Sequence, residues 1–133
     1  MSLSNAAVNL QTRHWHAVCS RDDLVAQSGV VVWFEGRQVA LFYLPEQSTP
    51  VYAVDNVDPK SGANVIGRGL VGHLKGELVV AAPLYKQHFC LSDGRCLEDA
   101  QQALQVWPVR LRGEQVEIGL GCPAKERPDT LRG

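Results

Sequence analysis

What this sequence lacks removes several classes of function. No apolar run is long enough to span a bilayer: the longest, Gly29 to Phe34 and Leu78 to Pro83, are of strand length. In Met1 to Gln11 no basic stretch precedes an apolar one, so no signal peptide is expected. Lysine and arginine are spread along a chain of formal charge −1. No basic stripe interleaved with aromatics argues for nucleic acid or for an anionic membrane surface. The four cysteines, Cys19, Cys90, Cys96 and Cys122, are irregularly spaced and form no CxxC pair. That pattern reads as reduced thiols in a cytoplasmic protein. Cys90 and Cys96 flank one turn, and the sequence leaves open whether they pair.

What is present describes an ordinary globular chain, 45% hydrophobic and 20% charged over 133 residues. One domain is expected, with a folded core over about residues 12–121 and a polar tail over 122–133 that carries two prolines. A chain of this length can bury roughly two-thirds of its unfolded surface, so it needs neither metal nor disulfide to fold.

The periodicity is that of strands. His14 to Cys19 alternates aromatic, polar and apolar types, and Ser20 with Asp22 and Asp23 behind it reads as the N-cap of a single helical turn. Gly29 to Phe34 is β-branched and aromatic, and Glu35-Gly36 turns it into a returning strand over Arg37 to Leu44. Val51 to Val54 is a further strand. Leu70 to Leu74 and Glu77 to Ala81 form a hairpin closed by Lys75-Gly76, and Trp107 to Arg112 and Gln115 to Leu120 form another around Gly113-Glu114. Leu97, Ala100, Ala103 and Leu104 have helical spacing, so Leu97 to Gln105 is expected to hold one or two helical turns. About nine short strands with turn signals every eight to twelve residues make an all-β sandwich or barrel.

Two turn-rich segments interrupt the strands, Asp58 to Val65 and Ala82 to Gly94. Their order across a hairpin resembles the two cluster-binding loops of the Rieske [2Fe–2S] fold. The approach Val51 to Asn56, the residues Gly62-Ala63 and Gly69 to Gly72, and the register of Pro83, Phe89 and Gly94 carry the resemblance. Gly36 to Leu44 and Trp107 to Leu111 fit as well. In that family, Cys-x-His in the first loop and Cys-x-x-His in the second bind the cluster. This sequence has Asp58-x-Lys60 and Ala82-x-x-Tyr85, so all four ligand positions are replaced and no cluster is expected. The wording of Asp55 to Val65, Arg68 to Gly72 and Ala82 to Phe89 is similar to the cluster-less small subunits of assimilatory NAD(P)H nitrite reductase.

The resemblance implies a Rieske-like antiparallel fold with two protruding loops and no catalytic residue, cofactor or metal of its own. It further implies a partner, the large subunit that carries FAD, sirohaem and an iron–sulfur cluster and reduces nitrite to ammonia. Arg68, Tyr85 and Lys86 are the candidate contacts with that partner. The alternatives are a stand-alone interaction module on a Rieske scaffold and a ferredoxin-type electron carrier, the latter opposed by the missing ligands. For the degenerate loop tips two readings stand side by side. Either the Tyr85 ring and the Lys60 stem fill the vacated volume with the Lys60 ammonium near Asp58, or these side chains point to water. A zinc site built on His14, His16 and a thiol, or a nucleophilic Cys19, lacks the partner residues that either chemistry requires.

Overall fold

The structure, a computed structural model, describes residues 14–120. Its ten strands are β1 His14–Ser20, β2 Ser28–Phe34, β3 Arg37–Tyr43, β4 Val51–Asp55, β5 Leu70–Leu74, β6 Glu77–Ala81, β7 His88–Cys90, β8 Val106–Trp107, β9 Val109–Arg112 and β10 Gln115–Leu120. They form three antiparallel sheets, ordered β1-β10-β9, β2-β3-β4-β8 and β5-β6-β7. The all-β antiparallel class expected from the sequence is the architecture observed.

β3 is the strand the layers close on. Val39, Ala40, Leu41 and Phe42 are all 0% exposed. Successive side chains point to opposite faces, so one run of apolar residues serves two cores. Val39 and Leu41 join Leu24, Phe34, Ala53, Val116 and Ile118 against the β1-β10-β9 sheet. Ala40 and Phe42 join Val54, Ile66, Val80, Ala82, Phe89 and Leu91 on the other side, where the β5-β6-β7 sheet and the loops lie. Each fully buried side chain of this size contributes about 1.5–3 kcal/mol of transfer free energy.

The hairpin dipeptides behave as their composition demands. Glu35-Gly36 and Lys75-Gly76 both take positive φ at the two central positions, the turn whose twist matches the flanking strands. Ser20 caps a single 3-10 turn, Arg21–Asp23, as expected: its side chain accepts the Asp22 N–H while Asp23 accepts the Ser20 N–H.

Two expectations are corrected. Leu97 to Gln105 is not helical. Its backbone hydrogen bonds run crosswise, from Leu97 N–H to the His88 carbonyl (2.8 Å), from Cys96 N–H to the Gln102 carbonyl (3.2 Å) and from Leu104 N–H to the Gly94 carbonyl (2.8 Å). Of the helically spaced residues only Leu104 is buried. The strand expected over Trp107 to Arg112 is two strands parted at Pro108, where the chain leaves the sheet of β4 and joins that of β10. Proline has no N–H to continue the ladder. The segments 1–13 and 121–133, with Cys122 and the expected tail, lie outside the described residues.

Candidate functional site

The first loop leaves the end of β4 through a firmly held frame. Asp55 is 4% exposed, and both of its oxygens are used. Oδ1 accepts the Trp107 indole N–H at 2.8 Å, and Oδ2 pairs with the Arg37 guanidinium. Asn56 beside it donates to Gln38 Oε1 (2.9 Å) and accepts the Gly67 N–H (2.6 Å). Gly67 lies so close to β2 that a Cβ at Gly29 would sit 2.5 Å from the Gly67 carbonyl oxygen. Gly29 cannot carry a side chain there without the loop moving off the sheet.

Beyond this frame lie the four positions that correspond to cluster ligands. Asp58 is fully buried. Its Oδ1 accepts the Lys60 N–H (2.9 Å), its backbone exchanges hydrogen bonds with Gly62 (2.7 Å) and Ala63 (2.8 Å), and its Oδ2 has no partner among the described residues. Ala82 is also sealed, at 1% exposure, within the cluster that holds Ile66, Phe89 and Leu91. The second loop then turns on Ala82: its N–H donates to the Gln87 carbonyl (2.8 Å) and its carbonyl accepts the Lys86 N–H (3.0 Å). Lys86 holds the left-handed conformation, φ 58°.

The two outer positions meet each other. The Lys60 ammonium lies 5.2 Å from the centroid of the Tyr85 ring, within cation–π range. Tyr85 is 55% exposed, so its ring faces outward instead of filling an enclosed gap. Among the described residues no ion pair joins Lys60 to Asp58 within 4 Å; the ammonium takes the ring in its place.

This donor set does not fit a [2Fe–2S] cluster. A methyl group offers no lone pair, an ammonium repels cationic iron, and the Asp58 oxygen that has a partner is tied to its own loop. Neither soft thiolate nor imidazole stands at any of the four positions.

His88 donates its backbone N–H to Glu98 Oε1 (2.8 Å) and its Nδ1 meets Glu98 Oε2 at 2.6 Å. Cys19, Cys90 and Cys96 are free thiols, each pushed up from the usual thiol range, in every case mainly by burial. Such thiols are poor nucleophiles. His16 packs on Phe34, with ring centroids 5.7 Å apart. Among the described residues no group of three or more His, Cys, Asp or Glu side chains is arranged to hold a metal ion.

Arg68 and Lys86, two of the three expected contact residues, line one groove of about 280 Å³ with Leu70, Ala82 and Pro83; Tyr85 stands next to it in the chain. Sequence reasoning missed two conspicuous residues, Leu70 at 78% exposed and Trp33 at 70%. Both lie in apolar strand wording, which signals burial unless the strand is known to be at an edge.

Comparison with known proteins agrees with this fold. Residues 14–119 match the Rieske-like [2Fe-2S] domain family. The small subunit of NADH nitrite reductase from Salmonella typhimurium is 41% identical over 104 residues, 78% of this chain and 95% of that protein. The solved structure of the Escherichia coli protein NirD is 39% identical, covers 81% of this chain and 97% of its own, and superposes with a TM-score of 0.72. The large subunit of NAD(P)H nitrite reductase from Klebsiella oxytoca is 43% identical over 110 residues; these are 83% of this chain but span only 11% of that protein's length. The chain belongs to the Rieske-like domain family, in the group of nitrite reductase small subunits.

Proposed function

We propose that this chain is a non-catalytic, cytoplasmic subunit of an NAD(P)H nitrite reductase that acts in nitrate assimilation by binding the large subunit. One observation carries the reading. The same module is nearly the whole of a separate small subunit in one relative and a minor portion of a large-subunit polypeptide in another. A module found both fused to a polypeptide and free is best explained by a persistent contact with that polypeptide. The chain itself supplies no reacting group; the flavin, sirohaem and iron–sulfur cluster reside in the large subunit.

Arg68, Tyr85 and Lys86 form the centre of the contact. Two cations flank an apolar groove, exposed Tyr85 precedes one of them in the chain, and the Asp58 carboxylate in the neighbouring loop is buried out of reach. Arg and Tyr are the residue types that most often anchor interfaces, and charge on the rim sets the encounter rate. Reversing both charges, Arg68→Glu with Lys86→Glu, is expected to weaken association with the purified large subunit at least about tenfold at low salt, and to lower nitrite reduction in step. A large subunit that neither binds this chain nor changes its nitrite turnover on adding it overturns the reading.

A further inference from the structure

We propose that the contact surface runs from the loop tips along the outer edge of β2 to Trp33, and that Trp33 seats in an apolar pocket of the large subunit. The inference rests on the partner named above and adds to it a second anchor, remote from Tyr85.

Among the described residues β2 is an edge strand, with β3 on one side and no strand on the other. The alternation of β2 puts Val31 and Trp33 on the same face as their partners Ala40 and Gln38, and there they are 46% and 70% exposed. Valine and tryptophan left in water on a sheet face signal a surface that another chain covers, because each would gain from burial and neither serves the core. Residue contacts make this face continuous with the tips. A Cβ on Gly67 would lie 2.9 Å from Val31 Cγ2, so Val31 abuts the first loop. From Gly67 the chain passes directly through Arg68 to Leu70, which shares its groove with Pro83 and Lys86. Trp33 and Val57, itself 36% exposed, line a hollow of about 240 Å³ with Gln38 and Asn64. Of the seven large apolar side chains exposed among the described residues, Val31 and Trp33 share a face of β2, Trp33 lines a hollow with Val57, and Leu70 lines the tip groove next to which Tyr85 stands in the chain.

The charges say what the partner offers. Lys60, Arg68 and Lys86 stand at the tip end, whereas Asp55 and Asp58 are buried. Asp55 and Arg37 at the other end satisfy each other, so the hollow beside Trp33 has no free ionic demand. Glu35 is the exposed acid next to it, in the hairpin turn. The complementary surface is thus apolar opposite Trp33 and Val31 and acidic opposite the tips.

Affinity for the purified large subunit tests this. Trp33→Ala is expected to weaken binding at least about thirtyfold and Val57→Ser about tenfold, with Trp33→Phe retaining most of it; Val25→Ser is expected to stay within about twofold. Trp33 is exposed, so each Trp33 variant should melt at the wild-type temperature, which is measured alongside. If the wild type binds, and Trp33→Ala and Val57→Ser both bind within twofold of it, the inference falls while the reading of the partner stands. If the wild type does not bind the large subunit at all, both fall.

Discussion

Asp55 and Asp58 stand on the same short stretch of chain, both are buried, and the fold treats them in opposite ways. Asp55 gives one oxygen to an indole N–H and the other to a guanidinium, and so locks β4 to β8 and to the start of β3. Asp58 spends one oxygen on its own loop and leaves the other without a partner among the described residues. A buried oxygen without a partner loses its hydration for no return. The first aspartate ties three strands of the scaffold together. The second stands at a position that, by the resemblance, corresponds to a cluster ligand, and here it closes a turn. Asp55 is fully satisfied and Asp58 is not.

The contrast is broken most directly at Asp55. Asp55→Ala strands the Trp107 indole N–H and the inner side of Arg37 in one step. A hydrogen bond to a charged group contributes about 1.5–3 kcal/mol. Arg37 is half exposed and can rehydrate, so a loss of about 2 kcal/mol is expected, read as a lower denaturant midpoint at unchanged m-value. A cost below about 0.5 kcal/mol would mean that the frame is held by strand pairing alone.

Asp58 is expected to respond less, and in a way that separates its two oxygens. Asp58→Ala removes the acceptor for the Lys60 N–H and leaves a small cavity, for about 1–2 kcal/mol. Asp58→Asn keeps an acceptor at Oδ1 and exchanges one unpartnered group for another, so it should stay within about 0.5 kcal/mol of the wild type. Chemical denaturation of the pair checks this. If Asn is as costly as Ala, the second oxygen has a partner and the contrast with Asp55 disappears.

How far the sequence could be read follows the same division. The frame was legible because its signals are local. The β3 run is apolar throughout, and the Glu35-Gly36 and Lys75-Gly76 turns carry their own φ requirement. The loop tips were legible as positions, since Asp58, Lys60, Ala82 and Tyr85 follow from register, but their fates were not. Whether Lys60 turns to Asp58 or to the Tyr85 ring depends on where a second loop places that ring. Leu97 to Gln105 misled because helical spacing is cheap to mimic over nine residues, whereas the crosswise bonds to His88 and Gly94 are long-range. Pro108 could have warned of the break before β9. Nothing local marks Trp33 as outward, because that depends on β2 being the edge.

The second loop has its own frame carboxylate, and it sharpens the comparison by being exposed. Glu98 holds β7 through the backbone N–H and the ring of His88, and it also accepts from the Cys96 thiol (3.6 Å). Partial burial works against its ionisation, but the His88 hydrogen bonds outweigh that, and its pKa lies below the usual carboxylate value. A depressed carboxylate contributes stability that is fully present above its unfolded pKa and is lost as pH falls through the folded one. Its side chain is 44% exposed, so solvent screening keeps the contribution below about 0.5 kcal/mol. Glu98→Gln should therefore cost little at neutral pH and flatten the acid limb of the stability curve below the ordinary glutamate range. Thermal melts of both proteins across that range check it; an acid limb as steep in the variant as in the wild type would assign the acid sensitivity to other carboxylates and leave Glu98 a neutral latch.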